Sequence, residues 1–140
     1  MNANDTLLDE FCDTLWLEDG LSRNTLESYR RDLRQFGVWL KSAVGKDLLG
    51  ANPADVQGYI GYQFKRRARA TSAARSVSSV KRLYRYLARA RRIEVDPTLN
   101  IDAPVLPRRL PTTLTEDEVE RLIKAPDTST ALGLRDRAML

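Results

Sequence analysis

Histidine is absent from the 140 residues, and cysteine occurs once, as Cys12. A zinc site of the usual kind, built from Cys and His, is thereby excluded. So is an internal disulfide framework, and a lone thiol fits a reducing cytosol. No apolar run approaches the roughly 18 residues that a membrane span needs. The opening residues, MNANDTLLDEF, are acidic and lack the basic start and apolar core of a signal peptide. Charge of one sign is missing in two places. Residues 1–20 hold six acids and no base, whereas residues 56–93 hold eleven bases and no acid. Solubility alone selects a blend of signs. A long acid-free window therefore points to a polyanionic partner, with a solvated basic helix face as the plainer alternative.

What is present is ordinary for a globular chain: 42% hydrophobic and 30% charged residues, too apolar for disorder. The length leaves room for one domain, or one domain and a fragment. Helical periodicity recurs, and no convincing strand is found. A first helix is expected from about Asp5 to Glu18, capped by Asn4 or Asp5 and ended by Gly20. Leu7, Leu8, Phe11, Cys12 and Leu15 form its apolar stripe, where Cys12 reads as a small core residue. A second helix follows from about Ser22, a good N-cap, to Ser42. Leu26, Tyr29, Leu33, Phe36 and Leu40 share one of its faces. The opposite face holds Asn24, Glu27, Ser28, Arg31, Arg34 and Gln35.

A third helix opens at Asn52-Pro53, a cap followed by Pro at the first helical position. Val56, Tyr59, Ile60 and Phe64 are its expected stripe. It closes in Lys65-Arg66-Arg67, where cations suit a helix C-terminus. In the fourth, from about Thr71 to Arg91, Ala73, Val77, Val80, Tyr84 and Leu87 turn one way. Thr71, Arg75, Ser78, Arg82, Arg85 and Arg89 turn the other. Small hydroxyl residues between guanidiniums let a helix approach a phosphate backbone or a groove closely. A merely soluble helix would mix in Glu to gain i,i+4 pairs.

Residues 94–113 carry Pro97, Pro104, Pro107 and Pro111, which predict an extended linker. Arg108 and Arg109 are exposed bases within it. Thr115 with Glu118 then makes a capping box, and Leu114 with Val119 a hydrophobic staple. Val119, Leu122 and Ile123 are expected to face inward, and Pro126 stops that helix. A last helix, from about Ser129, reaches Ala138-Met139-Leu140 in mid-pattern, as expected of a chain cut short.

Leu21-Ser22-x-x-Thr25-x-x-x-Tyr29-x-x-Asp32-Leu33 resembles the signature of the core-binding, SAM-like N-terminal domain of tyrosine recombinases. Ser78-Ser79-Val80-Lys81-Arg82-Leu83-Tyr84-x-Tyr86-Leu87 is similar to that family's fourth helix. Asp96-Pro97-Thr98 and Ala103-Pro104-x-x-Pro107-Arg108-x-Leu110-Pro111 are similar to its interdomain linker. Leu114-Thr115-x-x-Glu118-Val119-x-x-Leu122 and Leu134-Arg135-Asp136-Arg137-Ala138-Met139-Leu140 are similar to the opening of its catalytic domain. In order and spacing these motifs cover essentially the whole chain. Within the family the likeness is to the bacterial Xer group, and Trp16-Leu17-Glu18 and Val119-Glu120-Arg121-Leu122 lean to its XerD branch over XerC.

The resemblance implies an all-α fold: a four-helix core-binding bundle over 1–93, a linker over 94–113 and a truncated start of the catalytic domain over 114–140. It implies a C-shaped clamp on duplex DNA, with the bundle as one jaw and its second and fourth helices crossing the DNA. Thr25 would then meet phosphate near a helix start. Ser28 and Arg31 would lie near base edges or phosphates, and Arg75, Ser78 and Arg82 would play the matching part. The expected DNA-binding set is Asn24, Thr25, Ser28, Arg31, Lys65, Arg66, Arg67, Thr71, Arg75, Ser78, Arg82, Arg85, Arg108 and Arg109.

The family breaks and rejoins DNA through a tyrosine that forms a 3′-phosphotyrosyl bond, supported by an Arg/Lys/His/Arg cluster. The chain has no His, and its five tyrosines all fall in the N-terminal domain. No catalytic residue is assigned, and the family's strand exchange implies no metal or nucleotide cofactor. The resemblance further implies a full-length recombinase in the cytoplasm, acting in DNA integration and chromosome-dimer resolution. Its partners would be a duplex recombination site, a second recombinase of the XerC type in a tetramer, and a DNA translocase, with no membrane. Two readings of other classes stay open: a stand-alone DNA-binding accessory protein, and a helical interaction module with a basic face.

Overall fold

The computed structural model describes residues 3–66, 69–102 and 112–140. The described residues are helical, with no strand among them. The chain divides into two compact units, Met1–Leu106 and Pro107–Leu140. The first contains α1 (Ala3–Asp19), α2 (Arg23–Val44), a 3₁₀ turn (Leu48–Gly50), α3 (Pro53–Lys65) and α4 (Ala70–Arg89). The second contains α5 (Glu116–Lys124) and α6 (Ala131–Met139).

Local chemistry sets the helix ends of the first unit. Ser22 Oγ accepts the Thr25 N–H at the start of α2, satisfying a donor that has no partner inside the helix. Gly45 closes α2 in the left-handed region, at φ 74°, and its N–H reaches back to the Lys41 carbonyl. A side chain there would be strained, which is why glycine ends this helix. Asn52 and Asp55 form a reciprocal capping box at α3, with Pro53 at its first turn. α1 begins earlier than expected. Asn4 and Asp5 lie inside it rather than capping it: Asn4 Oδ1 accepts the Leu48 N–H at 3.5 Å, and Asp5 pairs with Arg34.

The apolar stripes then meet. Leu7, Leu8, Phe11, Cys12 and Leu15 of α1 pack with Leu33, Phe36 and Leu40 of α2 and with Val77, Val80, Leu83, Tyr84 and Leu87 of α4. Leu48, Val56 and Tyr59 complete one contiguous core. Cys12 is buried within it, and burial pushes its thiol pKa up. Tyr84 is fully buried, yet its hydroxyl donates to the Leu48 carbonyl at 2.7 Å, so the 3₁₀ turn is tied to α4. The α3 stripe differs from expectation at its end. Phe64 is 62% exposed and Gln63 is buried instead. The i+3, i+4 series Val56, Tyr59, Gln63 stays on the core side, and Phe64 lies one 100° step beyond it.

The segment after α4 also departs from expectation. Residues 94–102 do not run extended. Arg91 adopts a left-handed conformation, φ 55°, and the Arg92 N–H returns to the Leu87 carbonyl at 2.9 Å. Asp96 Oδ1 then accepts both the N–H and the hydroxyl of Thr98, at 2.8 and 2.6 Å, making a local turn. Thr98 and Ile101 are buried, and Lys81 donates to the Ile101 carbonyl. The later prolines of the expected linker, with Arg108 and Arg109, lie outside the described residues.

In the second unit Thr115 and Glu118 form the capping box that the sequence predicts. Asp127 accepts from the N–H and hydroxyl of Ser129, and Thr130 Oγ1 caps α6 through the Gly133 N–H. A Cβ at Gly133 would lie 1.7 Å from the Asp127 carbonyl oxygen, so only glycine fits this turn. Val119, Leu122 and Ile123 do not face inward. All three are exposed, as is Leu114 of the expected staple, because no described residue covers this face.

Candidate nucleic-acid interface

The charge layout acquires a second meaning in three dimensions. Five of the six acids in residues 1–20 pair with bases elsewhere in the bundle. Asp5 meets Arg34 at 3.1 Å and Asp9 meets Arg30 at 2.6 Å, both on α2. Asp19 meets Arg82 and Glu18 meets Arg89, each at 2.6 Å, on α4. Glu10 pairs with Arg92 just beyond it. The acidic helix therefore pairs with Arg82 and Arg89 of the basic ridge and leaves Arg85 between them unpaired among the described residues. Each exposed pair contributes about 0–1 kcal/mol and weakens with salt.

Arg75 belongs to a different class of pair. Its Nε and Nη2 donate to the two carboxylate oxygens of Asp32, at 2.8 and 3.0 Å. Asp32 is 4% exposed and also accepts from Ser79 Oγ at 3.3 Å. A bidentate guanidinium is the partner a buried carboxylate needs. Asp32 played no part in the expected site. Its signal was local: it sits with Tyr29, Leu33 and Phe36 at helical spacing on the buried face, where an unpaired acid is costly.

Two clefts open along the seam between α2 and α4. The larger, about 530 Å³, brings Ser78, Arg82 and Arg85 together with Tyr29, Lys81 and Arg89. The Arg82 guanidinium lies 6.0 Å from the Tyr29 ring centroid as well as against Asp19. The smaller, about 250 Å³, brings Arg31, Arg66 and Arg75 together with Asp32, Tyr59, Gln63 and Ser76. The Asp32–Arg75 and Tyr29–Arg82 contacts show that α2 and α4 run antiparallel along this seam.

The remaining expected residues are placed as follows. Asn24 is exposed on the first turn of α2, and Thr25 Oγ1 lies 2.9 Å from Ser22 Oγ. Ser28 Oγ donates to the Asn24 carbonyl and Ser78 Oγ to the Ala74 carbonyl, each folded onto its own helix. Asn24, Thr25 and Ser28 line neither cleft. Thr71 is exposed at the start of α4 and Lys65 at the end of α3. Arg66 donates to Tyr62 Oη at 3.4 Å and stands over its ring. Arg67 lies outside the described residues. The side chains of Arg31, Lys65, Arg69, Arg85 and Arg91 have no hydrogen-bond or ion-pair partner among the described residues. In the first unit, these cations are free to meet an external anion.

Comparison with known proteins identifies the family to which this four-helix unit belongs. The family described as phage integrase, N-terminal SAM-like domain, matches residues 8–91. The chain belongs to that family. It is 43% identical over 136 residues to the tyrosine recombinase XerD of Shewanella oneidensis, covering 97% of this chain and 45% of that protein. It is 43% identical over 134 residues to the tyrosine recombinase XerD of Yersinia pestis, covering 96% of this chain and 44% of that one. The crystal structure of the XerA recombinase is similar with a TM-score of 0.53 at 29% identity, covering 86% of this chain and 40% of that chain. The chain thus spans less than half the length of these relatives. Among the described residues, no helix is long and apolar enough to cross a membrane.

Proposed function

We propose that this chain is the DNA-binding N-terminal part of a XerD-like site-specific recombinase, gripping duplex DNA as one jaw of a clamp. One observation carries the reading: the α2/α4 seam holds two basic clefts and exposes the Arg31 and Arg85 side chains, which have no partner among the described residues. Free guanidiniums along a helix seam suit phosphates and guanine edges, and the antiparallel helices give two parallel rails for one duplex. Arg31, Arg66 and Arg85 are the principal contacts, with Asn24, Thr25, Lys65 and Thr71 at the flanking helix ends. Arg67, Arg108 and Arg109 remain proposed contacts from sequence alone. Arg82 serves a double part, because Asp19 must release it before it meets DNA.

In the whole protein this jaw would work with a catalytic domain on the opposite side of the duplex. It would act beside a second recombinase of the XerC type in a tetramer, under a DNA translocase, to resolve chromosome dimers in the cytoplasm. Binding of labelled duplex DNA and of anionic vesicles, compared at equal ionic strength, tests the first step. Preference for duplex DNA supports the jaw. Preference for vesicles, or no binding to either, refutes it.

A further inference from the structure

The smaller cleft has features that general DNA attraction does not require. It sits where α2, the last turn of α3 and the start of α4 meet. Three guanidiniums line it, against one carboxylate whose two oxygens are both engaged by Arg75. Arg75 is thus fixed in direction, while Arg31 is free to move onto a ligand.

Gln63 lines the same cleft, 8% exposed. Its Nε2 donates to Ser76 Oγ at 2.9 Å, and its Oε1 is buried without a hydrogen-bond partner. A buried amide end left unpaired calls for a physical reason. The two ends of a carboxamide exchange by a half-turn, and the Ser76 hydroxyl can donate to oxygen as readily as it accepts from nitrogen. Turned, Gln63 presents N–H donors at the position that now lacks a partner. The start of α4 adds more donors. Arg69 stands at its N-cap with no side-chain bond to the first turn, and Ser72 of that turn borders the cleft. Free N–H groups at a helix start attract anions.

We propose that this cleft receives one phosphate group, held by Arg31, Arg66, the turned Gln63 amide and the first-turn N–H groups of α4. Asp32 acts as a positioning residue by fixing Arg75. The physiological source is a DNA backbone phosphodiester, and to that extent the proposal rests on the DNA-binding reading. Free phosphate is the other source of the same chemistry.

The test follows the Gln63 side-chain NH₂ pair by NMR in the whole ¹⁵N-labelled chain, assigned by its loss in Gln63→Leu. One arm titrates inorganic phosphate and the other duplex DNA. A shift of this pair in both arms, or in the DNA arm alone, is expected. The first result makes any phosphate a ligand, and the second restricts the site to the phosphodiester. Alongside, Gln63→Glu places a carboxylate at the anion's seat and should lower duplex affinity about tenfold or more. Arg66→Gln, on an exposed side chain that cannot upset the fold, should make the log–log salt slope shallower by about 0.9. Far-UV circular dichroism confirms that each variant is folded. A Gln63 pair unmoved in both arms, or an Arg66→Gln protein with wild-type affinity and slope, overturns the site while leaving DNA binding intact. If duplex DNA is not bound at all, the DNA reading falls and the phosphate arm alone decides the cleft.

Discussion

Replacing Arg75 by alanine is expected to destabilise the bundle by about 2–3 kcal/mol, although much of its side chain is open to water. The reason lies in the partner. Asp32 is 4% exposed and takes two hydrogen bonds from the guanidinium. With Arg75 gone, it keeps only the Ser79 hydroxyl at 3.3 Å. Stranding one member of a fully buried pair costs about 3–5 kcal/mol. The Arg75 side chain is 45% exposed, so water reaches the rim of this pair and lowers the figure. Asp32→Asn is milder, about 1–2 kcal/mol, because asparagine keeps an acceptor and Arg75 can turn to solvent. The double variant removes the stranded charge. Its cost should fall short of the sum of the single costs by about 1 kcal/mol or more. Urea unfolding followed by circular dichroism, with a common m value, gives all three numbers. Additivity within about 0.5 kcal/mol would falsify the coupling of α2 to α4 through this pair.

Three further outcomes are expected. Arg91→Gly should stabilise the bundle by roughly 1 kcal/mol in urea unfolding, because it relieves a left-handed residue at the end of α4; a loss of stability would mean that the Arg91 side chain holds something. Burial opposes ionisation of Asp55, but the Lys46 ammonium and the Asn52 N–H overcome it and hold its pKa below the ordinary carboxylate value. That contribution is present above about pH 4 and is lost as pH falls through the folded-state pKa. Asp55→Asn should therefore flatten the acid limb of the stability profile, and an unchanged limb would contradict this origin. Finally, the chain alone should form no covalent adduct with a nicked suicide duplex, since no nucleophile or phosphate-activating cluster is assigned in it; an adduct on a denaturing gel would refute that assignment.

Caps and stripes were legible because they are local. Ser22, Asn52 and Thr115 each bond within three residues, and helical spacing gave the core faces of α1, α2 and α4, though not the end of the α3 stripe, where Gln63 is buried in place of Phe64, nor the start of α1. The Asp32–Arg75 pair spans 43 residues, so its two halves looked like a motif residue and a free ridge arginine. The same holds for the acids of α1. Their clustering was visible, but that they fold onto Arg82, Arg89 and Arg92 depends on the packing angle of α1. The early linker misled for a different reason. Proline excludes helix, but it does not exclude a turn, and Asp96 with Thr98 makes one that buries Ile101. In the second unit the apolar spacing of Val119, Leu122 and Ile123 was legible, whereas whether anything covers it is not a local property.

The salt dependence of duplex-DNA affinity in an Arg31→Ala/Arg85→Ala variant tests the central claim most directly. Both side chains are exposed and unpartnered among the described residues, so the fold should survive their loss. If the α2/α4 seam grips the phosphate backbone, affinity falls and the log–log salt slope becomes shallower by roughly 0.9 per arginine, nearly two units in all. The same measurement on Arg121→Ala, in α5, should leave the slope near the wild-type value. Wild-type affinity and slope in the double variant would contradict the seam as the DNA face.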